Sequence, residues 1–296
     1  MTMQYKKLSI FVAIALVATV ACSLQAQDSR PTSKPGGATT KPKPPTTKPA
    51  SRPASRPATG STAEQPKPTG PQSTPEGKQL LAQMLAAMGG ADKFAAIKNL
   101  TWQGGMIRAG QGVEIDIHGV VEFPGEKYRM QQSAGGSQTT FVVTEGGGWQ
   151  DSSRTGFAQL PDTFVKSFRE SLRVATTPIL HDWESLVAQR LAPEVVADME
   201  YDVLRVWRGA SAPIDFLVNP ETHMIERKRT RVASNGAMVL REEKTWDYRV
   251  VDGLQFPFHK TITDNGKQVQ IINITGYQLN RELPADHFTA PGAQQR

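Results

Sequence analysis

The sequence predicts an α+β fold: a strongly curved antiparallel sheet of about ten or eleven strands, an incomplete β-barrel with helices covering its concave face. Three observations predict it. Apolar and polar residues alternate with period 2 over 113–123, the signature of a strand with one wet and one dry face. Asn219-Pro220, Asn235-Gly236, Asp252-Gly253 and Asn265-Gly266 punctuate five apolar-rich runs between 213 and 277, as hairpin turns do. Stripes with helical period stand at the start and middle of residues 76–296, and the dry sheet face is the partner available to them.

The first helix is expected over 76–88, where Leu80, Leu81, Met84, Leu85 and Met88 form one stripe and Gly89-Gly90 stops it. A short second helix runs from Ala91 to Ile97 and presents Phe94 and Ile97. Val113, Ile115, Ile117, Val121 and Phe123 alternate with Glu114, Asp116, His118 and Glu122, which predicts a half-buried strand. Further strands are expected near 99–108, 126–133, 138–145 and 148–152, separated by Gly-rich turns. The period then changes. Phe164, Val165, Phe168 and Leu172 form a helical stripe behind Pro161, and Ile179, Leu180, Trp183, Leu186 and Val187 form another. A two-residue turn at Asn235-Gly236 sets Val232 against Val239, Arg229 against Glu242, Lys228 against Glu243 and Ile225 against Trp246, a register that matches charges and apolar pairs. Arg227 against Lys244 is the one mismatch. The same logic at Asn265-Gly266 places Ile262 opposite Val269.

Upstream of this domain the chain has a different character. Lys6-Lys7 precede an uncharged apolar run of about fourteen residues, Leu8 to Ala21. That is the layout of a signal peptide, since a membrane-spanning helix needs roughly 20 apolar residues. The expected divisions are a signal peptide over 1–22, a Pro/Thr/Ser/Lys-rich disordered tether over 23–75, and the sheet domain over 76–296. Two processing routes are open. The single cysteine, Cys22, resembles the lipid-modified residue of a bacterial lipobox, although Thr19 stands where Leu is usual. Cleavage after Leu24-Gln25-Ala26 would instead discard Cys22. The segment from Pro31 to Pro75 holds twelve of the 21 prolines and no aromatic, Ile, Leu or Val residue, so it has nothing to bury and stays extended. It reads as a spacer, and its cations could also meet anionic wall polymer or lipid head groups.

Charge follows the same division. Ten of the 34 Lys/Arg and two of the 28 Asp/Glu lie before residue 76, leaving 24 basic against 26 acidic residues in the domain. The overall charge of +6 therefore belongs to the leader and tether, and a nucleic-acid domain, which needs a basic folded face, is disfavoured. One cysteine excludes a disulfide framework and a Cys-based zinc site.

The run Met88-Gly89-Gly90-Ala91-Asp92-Lys93-Phe94 followed by Ile97 and a strand resembles the opening of exported LolA-like domains. So do Val218-Asn219-Pro220-Glu221-Thr222, Asp252-Gly253-Leu254-Gln255-Phe256-Pro257, and Ile274-Thr275-Gly276-Tyr277-Gln278-Leu279-Asn280 before Phe288. The similarity to the LolA/LolB-like lipoprotein-carrier superfamily covers most of 76–296. It implies an incomplete barrel whose helices cover an apolar cavity for acyl chains, in the periplasm or at the outer membrane of a bacterial envelope. It transfers no ligand-binding residue by motif. The Pro-rich tether is unlike the soluble carriers and closer to a membrane-bound receptor.

No residue pattern announces chemistry. The five histidines (His118, His181, His223, His259 and His287) share no metal-binding spacing, and there is no nucleophile elbow, P-loop or dinucleotide fingerprint. His118 sits on the polar phase of its strand, His181-Asp182 reads as helix-start capping, and the Arg227-Lys228-Arg229/Arg231 cluster reads as a charged sheet face answered by Glu242 and Glu243. No catalytic residue, cofactor or metal is expected. The expected function is non-enzymatic: a monomeric envelope protein binding a lipid or lipoprotein acyl chain. Its candidate cavity residues are Ile115, Ile117, Val121, Phe141, Val143, Phe164, Phe168, Trp183, Phe216 and Trp246. Two alternatives stand beside it: an envelope assembly scaffold with no small ligand, and an envelope hydrolase whose site pairs a His with an Asp or Glu inside the concave face.

Overall fold

Thr74 starts the first helix. Its Oγ1 accepts a hydrogen bond from the Gly77 N–H at 3.0 Å, and Pro75 occupies the first turn of α1 (Pro75–Ala87), where its missing N–H has no intrahelical partner to lose. Gly89 and Gly90, both at φ 112°, end it as the sequence predicts. Gly89 also packs so closely that a Cβ would lie 2.3 Å from the Gly253 carbonyl oxygen. The other helices are α2 (Ala91–Ala95), α3 (Asp162–Arg173) and α4 (Thr176–His181), with one 3-10 turn over Trp183–Ser185. These elements belong to a computed structural model that describes residues 70–124, 127–234 and 237–291. The expected signal peptide over 1–22 with Cys22, most of the expected tether over 23–75 and the expected turn at Asn235-Gly236 lie outside the described residues.

Thirteen strands form one antiparallel sheet. They are β1 (Asn99–Arg108), β2 (Glu114–Glu122), β3 (Lys127–Ala134), β4 (Ser137–Thr144), β5 (Gly147–Ser152), β6 (Gly156–Gln159), β7 (Leu186–Val196), β8 (Met199–Arg208), β9 (Ile214–Val218), β10 (Ile225–Ser234), β11 (Ala237–Val251), β12 (Leu254–Asp264) and β13 (Lys267–Leu279). Their order is β6-β5-β4-β3-β2-β1-β13-β12-β11-β10-β9-β8-β7. Two hairpin meanders are thus joined by one long-range seam, β1 against β13, and the sheet does not close on itself: β6 and β7 are its edge strands.

The helices span the mouth of this arc. α3 lies against β4 and β5 near one edge, α1 lies against β7 and β8 at the other, and α4 bridges α2 and α3 between them. Their apolar stripes and the inner strand residues form one core that includes Leu80, Met84, Phe94, Phe168, Ile179, Leu204 and Phe216. A second buried cluster, Met106, Ile115, Ile117, Phe258, Ile262, Ile272 and Ile274, contains no helix residue. Alternation places it on the same face as the main core: Leu100 and Met106 of β1 share one parity, and Ile117 and Val121 of β2 another. A flat sheet would leave such residues exposed, so their burial requires the strong curvature that the fold class implies.

The sequence reading departs from the structure at four places. Three strands, β6, β7 and β8, go beyond the ten or so expected. The stripe from Ile179 to Val187 is not one helix: α4 stops at His181, a 3-10 turn follows, and Leu186 and Val187 begin β7. The β10–β11 register is as expected from Arg227↔Lys244 to Ser234↔Ala237, but it ends there. Ile225 pairs with Val218 of β9, and its carbonyl accepts from Thr245 Oγ1 at 3.0 Å, because the ladder between β9 and β10 shifts between Ile225 and Arg227. Ile262 faces Gln270 instead of Val269, since the β12–β13 ladder shifts between Ile262 and Thr263.

Candidate cleft between α3 and the sheet

α3 owes its position to two features. Phe164, Val165, Phe168 and Leu172 bury its inner stripe. At its C-terminal end, Lys228 Nζ of β10 donates to the Val174 carbonyl at 3.0 Å, a cation at the negative end of the helix. Lys228 is only 3 % exposed and pairs with Glu243 of β11 at 2.6 Å. Burial alone would push the Glu243 carboxyl up, but Lys228, Lys260 and Arg241 outweigh it and hold the group below the ordinary carboxylate range. The Lys260 ammonium is pushed down by burial, partly restored by Glu243, and lowered again by Lys228. Along the same rung pattern, Arg108↔Gln270, Ile262↔Gln270 and Glu243↔Ile262 bring a third cation onto the inner face. Burial draws the Arg108 guanidinium down to about 10, so it is still charged at neutral pH.

Beyond the C-terminal half of α3 lies a cleft of about 970 Å³. One wall is α3 with Pro124 and Glu145 from the β2–β3 and β4–β5 turns; the other is the β8–β9 turn with the facing ends of β10 and β11. Phe168, Val174, Val232 and Met238 supply apolar surface, and five arginines line it: Arg169 and Arg173 of α3, Arg208 of β8, Arg231 of β10 and Arg241 of β11. Glu145, Glu170 and Asp182 are the acidic members. Arg208 Nε donates to Asp182 Oδ2 at 2.8 Å, and Arg241 makes a two-pronged contact to Asp264 with both distances 2.8 Å. Burial raises Asp182, but Ser185 and Arg208 more than offset it and leave the carboxyl below its ordinary value.

Of the ten candidate cavity residues, only Phe168 lines this cleft. Val121, Val143, Phe164, Phe168 and Phe216 belong to the packed core beneath the helices, with Trp183 against its margin. Phe141 is buried beside them, opposite Met130, and Ile115 and Ile117 sit in the second cluster. Trp246 stands on the outer face, 40 % exposed and stacked on His259 at 5.5 Å. Strand alternation explains this: Thr245 takes the inner position on β11, so its neighbour must point out.

The histidines lie elsewhere. His118 is on the outer face, where burial and the charges of Arg281 and Arg129 hold its pKa below the ordinary value. His181 ends α4 instead of starting a helix and stacks on Phe123 at 4.6 Å. His223 occupies the β9–β10 turn with φ 54°. His259 Nδ1 lies 2.8 Å from Asn273 Oδ1, and the His287 carbonyl accepts from Arg129 at 3.0 Å. None lines the cleft. The Arg227-Lys228-Arg229 run is answered as expected, by Glu242 at 2.5 and 2.6 Å and by Glu243, and Glu194 joins Arg229 at 2.6 Å. Among the described residues, no group of three or more His, Cys, Asp or Glu converges as a metal site, and no helix is long and apolar enough to cross a membrane. The arginines of the cleft escaped sequence reasoning, Arg231 apart. The available hint was the spacing of Arg169 and Arg173, four apart and off the apolar stripe of α3.

No protein-family model matches the sequence, and no curated relative matches it. Among solved structures, the chain is similar to a domain assigned to the outer membrane lipoprotein-sorting proteins from Vibrio parahaemolyticus, at 10% identity over 72% of this chain and 96% of that one, with a TM-score of 0.45. It is also similar to a DUF1329 family protein from Desulfovibrio piger, at 10% identity over 71% and 96% with a TM-score of 0.47. A LolA superfamily protein from Nitrosomonas europaea is 14% identical over 72% and 98%, with a TM-score of 0.41.

Proposed function

We propose that this chain is an exported, non-enzymatic envelope protein that holds a lipid, or the acyl part of a lipoprotein, in the cleft beside α3. In this reading 1–22 directs export, Cys22 is the lipid-anchoring candidate, and the Pro-rich 23–75 segment tethers the domain 76–296 and touches anionic envelope polymer or membrane. The observation that carries the proposal is the cleft itself. Its volume of about 970 Å³ falls in the range of small-molecule sites, and Phe168, Val174, Val232 and Met238 offer it apolar surface. Burial of a chain is additive: at ~0.8 kcal/mol per CH₂, a sixteen-carbon chain gains about 12 kcal/mol before ordering costs. That driving force needs no reactive group, which fits a cleft without histidine.

Native mass spectrometry of the full chain purified from envelopes, before and after organic extraction, tests the proposal. The expected result is a lipid-sized adduct that extraction removes. A chain that is free of lipid in repeated preparations overturns it.

A further inference from the structure

We infer that the cleft selects an anionic amphiphile, its arginines gripping a phosphate or carboxylate head while the apolar wall takes the chain. The inference rests on the acyl-chain reading above for the tail, but the head-group preference stands on separate observations. The domain that holds the cleft is net acidic, with 24 basic against 26 acidic residues, yet the cleft has five arginines against three acids. Positive charge is therefore concentrated there against the trend of the fold, and a concave site focuses the field it creates. Two of the arginines are neutralised locally: Arg208 by Asp182 and Arg241 by Asp264. Arg169 and Arg231, on opposite walls, make no ion pair among the described residues.

A second observation comes from behind the wall. Val174, which lines the cleft, accepts from the buried Lys228. That lysine pairs with Glu243 at 2.6 Å, and Lys260 of β12 faces the same carboxylate. Two cations to one carboxylate in a poorly solvated layer add positive potential where screening is weakest. Side-chain type narrows the ligand. All the cations lining the cleft are arginines, whose planar fork matches the two oxygens of a carboxylate or phosphate, whereas an ammonium acts as a point charge.

The test uses the full chain after delipidation and ligands with identical acyl chains: phosphatidylglycerol, phosphatidylcholine and diacylglycerol, with inorganic phosphate as a fourth probe. Affinities come from titration at 50 and 300 mM salt. The expected result is at least tenfold tighter binding of phosphatidylglycerol than of phosphatidylcholine at low salt, a ratio that shrinks at high salt. Arg169→Gln with Arg231→Gln should bring the ratio close to one, and the lysine pair R169K/R231K should fall between. Glu170→Gln, which removes an acid from the same rim, should raise it. Equal affinity for the three lipids overturns the head-group inference and leaves the acyl-chain reading standing. Phosphate that binds alone and is lost in the double glutamine variant, with no lipid bound, supports the anion site and overturns the acyl-chain reading. If neither lipid nor phosphate binds, both fall.

Discussion

Glu243 is the residue on which the inner-face charges balance. It pairs with Lys228 at 2.6 Å and also faces Lys260 and Arg241, and the register that a turn at Asn235-Gly236 dictates already sets Lys228 against Glu243. Removing one member of a buried pair leaves the other desolvated without compensation, at a cost of about 3–5 kcal/mol. Glu243→Gln should therefore destabilise the fold by that amount at neutral pH, measured by urea denaturation. The pH dependence has a definite sign. Because the folded-state pKa of Glu243 is depressed, its contribution is present above the unfolded carboxylate value, about 4.3, and is lost as pH falls through the folded value. Stability of the parent chain should thus drop below about pH 4 more steeply than that of the variant, and the two curves should converge in acid. Asp182 and Glu242 are depressed as well, so the variant keeps part of the acid limb. A variant within 1 kcal/mol of the parent at pH 7 would contradict this account.

α1 shows how an element is held at its start and along its side. Thr74 caps it, and the segment before it pairs with the β7 edge: Thr74 N–H donates to the Ala188 carbonyl and Ser73 Oγ accepts from the Ala188 N–H, both at 3.0 Å. Gly77 lets the helix approach that strand, since a Cβ there would sit 2.3 Å from the Ala188 oxygen. Thr74→Ala removes the cap alone and should cost about 1 kcal/mol, read as a lower urea midpoint at unchanged slope; no shift would show that the β7 contact, not the cap, fixes the helix start. α1 was legible because five apolar residues keep helical period between a proline and two glycines. β7 was not, for three physical reasons. Leu186 and Val187 continue the period of α4 by coincidence, Pro193 argues against a strand, and the ladder shifts between Leu191 and Glu194. An edge strand tolerates both the proline and the irregularity, but only the finished sheet reveals that this is an edge. The Ile262–Val269 pairing failed for a similar reason: a turn sets the register only as far as the first irregularity, and here that comes after two pairs.

Across the whole molecule, closure depends on contacts between the ends of the domain. The cleft shares this property. Its arginines come from α3, β8, β10 and β11, so no sequence window could reveal them, whereas the core residues were legible because periodicity is local. The seam is the extreme case: β1 pairs with β13 from Leu100↔Leu279 to Arg108↔Gln270, while every other neighbouring pair joins strands consecutive in sequence. Loop-closure entropy grows by about 0.6 kcal/mol per doubling of loop length, so closing the seam costs about 3 kcal/mol more than closing a short hairpin. The hairpin meanders should therefore form first and the seam last. Two buried sites separate these stages, Ile274 in the seam, paired with Gly104 of β1, and Ile214 within the β8–β9–β10 meander. Truncation of either to alanine should cost about 2–5 kcal/mol at equilibrium. In stopped-flow refolding, Ile274→Ala should leave the folding rate nearly unchanged and place its cost in faster unfolding, whereas Ile214→Ala should slow folding. If Ile274→Ala slows folding as much as Ile214→Ala does, the two halves of the sheet join early, and the arc closes before its meanders are complete.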